Sequence, residues 1–202
     1  MRHHGCVDAA HVAMLREILQ STGWLERADD FGRALRRTRS PGGLLLVGTP
    51  DEEPWHLAAH LADESRYSGL PQLDPTLVRW NPPLDAPAHL RTGTDRLNEV
   101  HRGETLFVVN PDEEAPVPLL ERVDDARRSG ATVLALDRGD RELGQLAHDA
   151  ISLDEATAPL HLDGLQHLVS AAAGDARQAP QRGWKERISR FLDVVSGPRF
   201  ED

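Results

Sequence analysis

Cysteine is nearly absent: Cys6 is the only one in 202 residues. That excludes a disulfide framework or a cysteine zinc cluster within one chain. No apolar run approaches the length of a membrane span, and none in the first forty residues is followed by a cleavage site. A cytoplasmic protein with no membrane partner is the expectation. Basic charge is scarce as well, with Lys+Arg 23 against Asp+Glu 33 and a formal net charge of −10. Binding a nucleic-acid backbone needs clustered Lys and Arg, so no nucleic-acid partner is expected. Internal repeats and low-complexity segments are lacking too.

What is present centres on the run from Gly103 to Leu153. Thr105 to Val109 is a short apolar stretch with β-branched and aromatic residues, as suits a strand buried on both faces. After the loop Asn110 to Pro116, Leu119, Leu120, Val123 and Ala126 recur at helical spacing in a helix predicted from Val117 to Ser129. Gly130 stops that helix. Thr132 to Leu136 is a second buried strand, Arg141 to Ala147 a short helix, and Ala150 to Leu153 a third strand. Strands and helices alternating with short links indicate a parallel sheet with helices on its faces.

Upstream, Asp8 is placed to cap a helix running to about Gln20, and a second helix is predicted from Trp24 to Arg39. Together they form an N-terminal helical hairpin. Leu44 to Val47 reads as the first strand, Trp55 to Ser65 as its helix, and Thr76 to Trp80 as an edge or near-edge strand. Thr94 is placed to cap a short helix to His101. A further helical pattern covers Ala158 to Ala173, and a polar linker leads to an amphipathic helix from Trp184 to Val195. The organisation is thus an α/β domain over 1–175 and a linker with a C-terminal helix over 176–202.

The order of these elements resembles the sugar isomerase (SIS) fold, and within it the phosphoheptose isomerases. Arg102 to Val109, Ser129 to Leu136 and Leu143 to Leu153 carry the resemblance, with Val47-Gly48 and Trp55 to Leu61 in the first unit. It implies an α/β three-layer sandwich with a five-stranded parallel sheet of flavodoxin-like type. It also implies homo-oligomers, dimers or tetramers, and a small carbohydrate-like ligand. In that family a phosphosugar is held by two loops, one after the first strand and one after the third. The matching candidates for ligand binding are Gly48, Thr49, Asp51, Glu52, Asn110, Asp112 and Glu113. Small hydroxyl residues normally let an anion reach backbone N–H groups there. In this chain Asp51, Glu52 and Glu53 occupy one loop, Asp112, Glu113 and Glu114 the other, and Asp154-Glu155 follows the fifth strand. Carboxylates of this kind are expected to cap the helix N-termini and repel a phosphate.

The resemblance also implies a metal. His56 matches a histidine ligand on the helix after the first strand, and His60 stands where the family has a glutamate. His161 falls near a glutamine ligand and His167 near a histidine, at shorter spacing. His56, His60, His161 and His167 are therefore candidate zinc ligands, against the alternative of polar residues at an interface or helix surface. If the chain is an active aldose–ketose isomerase, His60 and His167 are the candidate catalytic groups. Two readings follow. One is a diverged binding or regulatory module that has lost conventional phosphosugar isomerisation and requires no cofactor; the other is an active enzyme with an altered, histidine-rich zinc site.

Overall fold

The computed structural model describes Leu19, residues 23–153 and residues 160–175. The expected first helix (Leu19 aside), the C-terminal helix and Asp154-Glu155 lie outside the described residues.

Helix α1 (Trp24–Leu35) buries Leu25, Ala28, Phe31 and Leu35, one per helical turn. It stops before Arg36, earlier than the expected Arg39, and the Arg36 guanidinium reaches across to the carbonyls of Ala172 and Ala173. Strand β1 (Leu44–Val47) is buried throughout and leads to α2 (Trp55–Ser68). Gly69 ends α2 in the left-handed region, at φ 66°, a conformation that costs glycine little.

Strand β2 (Pro75–Val78) begins on proline, which an edge strand tolerates because its N–H is not needed by a second neighbour. The expected helix after Thr94 is a 3₁₀ turn, Thr94–Glu99. Then follow β3 (Thr105–Val109), α3 (Val117–Arg128), β4 (Thr132–Asp137), α4 (Arg141–Leu146), β5 (Asp149–Ser152) and α5 (Leu162–Gly174).

All neighbouring strands pair parallel, in the order β2-β1-β3-β4-β5. The α/β architecture with a five-stranded parallel sheet is the one expected. One face packs on α1, α2 and α5 around Phe31, Phe107, Leu44 and Leu46; the other packs on α3 and α4 around Leu45, Val47, Leu106 and Val108. Alternation along each strand assigns the faces. The order reverses between β1 and β3, the place where open parallel sheets bind ligands beyond the carboxyl ends of their strands. The loops at 48–54 and 110–116 both lie at that end. Among the described residues no helix is long and apolar enough to cross a membrane.

Candidate functional site

On α2, Leu57 and Leu61 point into the core and fix the rotation of the helix. His56 and His60, four residues apart, then share the neighbouring stripe, which faces α5. On α5, Leu165, Leu168 and Val169 are buried, and their packing leaves half-buried His167 beside α2. The Nε2 atoms of His56 and His167 are 2.5 Å apart, and those of His60 and His56 3.2 Å apart. One ligand atom from each of the three lies within 4.8 Å of the others.

The rings meet edge-on, with centroids 4.0 to 4.5 Å apart and interplanar angles of 65° to 82°. Such an arrangement aims nitrogens at a common point. Two bare lone pairs do not face each other at 2.5 Å; a proton or a cation belongs between them. Burial pushes the His167 imidazole down to about 4, with His60 and His56 adding to it. His60 is lowered as well, by burial first and then by His56, while Asp63 opposes the shift. A metal requires the neutral form that these shifts favour. Around zinc at about 2.0–2.1 Å, tetrahedral ligand atoms stand about 3.3 Å apart, so a slight spreading of His56 from His167 accommodates the ion. The donor set fits.

His161 does not join this group, which corrects the expected set of four. The helix starts at Leu162 rather than Ala158, so His161 is its exposed N-cap. Six residues from His167, it lies about 120° round the helix axis.

The strand-end loops differ from expectation in another way. Prolines, Pro54 and Pro116, stand at the N-caps of α2 and α3, and neither helix has a side-chain cap or an acidic residue in its first turn. The expected carboxylate capping does not occur there. Asp51 and Glu52 are exposed, and Glu53 pairs with Arg79 at 2.8 Å. The Arg79 guanidinium lies 4.6 Å over the Trp55 ring. Gly48 sits against its own loop: a Cβ there would stand 2.1 Å from the Glu52 carbonyl oxygen. The Trp80 indole N–H donates to the Gly48 carbonyl at 3.0 Å, and the Thr49 hydroxyl accepts from the Glu52 N–H. The β1–α2 loop is therefore folded down on the strand end.

In the second loop Asn110 is fully buried and exchanges hydrogen bonds with the backbone of Asp112, while Asp112, Glu113 and Glu114 are exposed. Of the seven ligand-binding candidates, Glu113 lines an open cleft of about 650 Å³ between the β3–α3 and β4–α4 loops, shared with Glu114, Arg138, Arg141 and Glu142.

Two further aspartates organise this end of the sheet. Asp140 N-caps α4, accepting from the Glu142 and Leu143 N–H groups, and its other oxygen accepts from the Ala115 N–H. Asp137 is fully buried at the end of β4 and accepts from the Gly139 N–H at 2.7 Å. Burial pushes its carboxyl up, against Ser152 and that N–H. An aspartate just ahead of the Arg141 helix was a readable cap signal; Asp137, inside an apolar strand, offered none.

No protein-family model and no curated protein matches this sequence. Solved structures match in fold. A protein provisionally assigned as a phosphosugar isomerase from Silicibacter pomeroyi is 13% identical with a TM-score of 0.56, over 92% of this chain and 53% of that one. A protein provisionally assigned as sugar-binding from Salmonella typhimurium is 15% identical with a TM-score of 0.54, over 92% and 52%. NanR of Vibrio vulnificus, complexed with ManNAc-6P, is 11% identical with a TM-score of 0.50, over 91% and 67%. The chain spans about half the length of the first two. At these identities the likeness carries the fold, a parallel α/β architecture shared with proteins of the phosphosugar isomerase type.

Proposed function

We propose that the protein is a carbohydrate-derivative-binding module of the SIS fold that holds a divalent transition metal, zinc first, on His56, His60 and His167. The observation that carries this is the convergence of three Nε2 atoms from two helices. Three imidazoles leave one tetrahedral position open, as in metal sites that meet a ligand rather than only brace a fold. Zinc held there would supply Lewis acidity and a point of attachment for a sugar oxygen. A carbohydrate derivative is favoured by the ManNAc-6P held in NanR. The position of His56, early in the helix after the first strand, favours the phosphoheptose isomerase-like branch.

Conventional phosphosugar isomerisation is the activity this reading gives up. His60 and His167, as metal ligands, are not free to move a proton between carbons. The acidic β1–α2 loop, folded against Gly48, offers a phosphate no cradle. A phosphosugar such as sedoheptulose 7-phosphate is expected to bind the metal-free chain at millimolar affinity at best, worth about −4 kcal/mol. A homo-oligomer, dimer or tetramer, is part of the same reading: Trp55 (41% exposed) and Tyr67 (84%) lie open on α2. Sedimentation at micromolar concentration tests it, and a monomer refutes it.

Zinc titration of chelator-treated protein tests the site. One ion per chain is expected. His60→Ala or His167→Ala should weaken it by more than about a hundredfold, beyond what outer partners of a metal contribute. His161→Ala should leave it unchanged. A chain that takes up no stoichiometric metal supports the other reading, a metal-free regulatory module, which the closed loop favours.

A further inference from the structure

The strand-end loops are rich in carboxylates, and the histidine cluster is not. Six carboxylates, on Asp51, Glu52, Glu53, Asp112, Glu113 and Glu114, stand in the two strand-end loops, and Glu53 pairs with Arg79. The histidine cluster is built without carboxylates: among the described residues no Asp or Glu oxygen joins the three nitrogens within 4.8 Å. Metal sites that include a glutamate or aspartate neutralise part of the ion's charge within the ligand set. Three neutral imidazoles neutralise none of it, and a divalent ion there keeps its full charge for whatever occupies the open position.

We infer, resting on the metal reading above, that the His56–His60–His167 centre is the protein's anion site, and that its ligand is a small carbohydrate derivative bearing an exposed oxyanion. The oxyanion is bound at the metal, and the strand-end loops take no part in holding it. A sugar acid and a sugar phosphate share this chemistry. The folded β1–α2 loop is consistent with it, since the site for an anion is moved along α2 from the loop to the helix face.

The test uses the full chain, stripped of metal and titrated with cobalt(II). Tetrahedral cobalt gives an intense visible spectrum whose bands move when the fourth ligand changes. A one-to-one spectrum that is lost in His60→Ala is expected. Gluconate or inorganic phosphate should then shift it saturably, and sorbitol at equal concentration should not. By calorimetry the effective anion should bind the cobalt form at least tenfold more tightly than the metal-free chain. The double variant Asp51→Asn, Glu52→Gln should change that affinity less than threefold. Response to gluconate or to phosphate identifies which oxyanion suits the site, and either supports the inference. An absent cobalt spectrum overturns the metal reading and this inference with it. A normal spectrum that neither anion moves, or that sorbitol moves equally, overturns the inference and leaves the metal reading standing. Anion binding that is independent of metal and rises tenfold or more in the loop variant returns the site to the loops.

Discussion

The two faces of the sheet are built from different materials. The face toward α1, α2 and α5 encloses Phe31 and Phe107, whose rings are tilted at 53° with centroids 5.4 Å apart, among many leucines. The face toward α3 and α4 is filled mainly by Val, Ala and Leu, and its strands end in buried polar residues, Thr49, Asn110 and Asp137, that organise turns. The large-residue face also carries the three histidines. The proposed metal site, whose nitrogens must be placed to a few tenths of an ångström, sits on helices locked by leucine and phenylalanine packing.

The largest expected effect is at that packing. Phe107→Ala should cost about 3–5 kcal/mol in denaturant unfolding, through lost transfer energy and a cavity. Val108→Ala, the adjacent residue on the opposite face, removes two carbons and should cost about 2 kcal/mol or less. Equal losses would break the contrast between the faces.

Gly32→Ala comes next. Helices α1 and α5 approach so closely at Gly32 that a Cβ would meet backbone atoms of Ala172 and Ala173 at 2.7 and 2.8 Å. Backbone cannot rotate away as a side chain can, so the helices must part, at about 1–3 kcal/mol. Because α5 also carries His167, metal affinity should fall with stability. A variant with reduced stability but unaltered zinc affinity would show that the cluster does not depend on this helix contact.

The metal-free protein should lose stability as pH falls from 6.5, the ordinary imidazole value, toward about 4, the value for His167. In that window the unfolded chain binds a proton that the folded chain refuses, so acid favours unfolding. His167→Gln should flatten the dependence in thermal melts across this range; an unaltered slope would assign it to other groups.

The smallest effect belongs to the opposite face and has the opposite sign. The raised Asp137 carboxyl is stabilising only at pH values below the ordinary carboxylate range, and that contribution is lost as pH rises through its folded value. Asp137→Asn keeps the acceptor for the Gly139 N–H and removes the buried charge. A gain of about 1 kcal/mol at neutral pH is expected, the scale of an uncompensated buried polar group. A loss would mean that the ionised carboxylate is better satisfied than its burial implies.

How much of this was legible in the sequence depends on the range of the interactions. Strands β1, β3 and β4 are continuous apolar runs, and burial on both faces is the only environment such runs satisfy. The pairing of His56 with His60 follows from helical spacing alone. The arrival of His167 and the exclusion of His161 depend on where α5 begins, and a helix start is poorly marked when its cap, His161, makes no side-chain hydrogen bond. The end of α1 was obscured for a related reason: the arginines after Leu35 look helical, but Arg36 makes its contacts with α5. In the acidic loops charge was visible, yet proline geometry and the contacts of Arg79 and Trp80 decided what the charges do.

For anyone wishing to engineer a phosphate cradle into this scaffold, the close approach at Gly48 sets the order of work. Exchanging Asp51 and Glu52 for serines would alter the loop's chemistry and leave its path unchanged, because the Glu52 carbonyl would still occupy the space beside the Gly48 α-carbon. The Trp80 indole holds that path from just beyond the end of β2. Point substitutions in the loop are therefore the wrong unit of design; a longer loop and a smaller residue at position 80 would have to come together before any anion-binding side chain had somewhere to act.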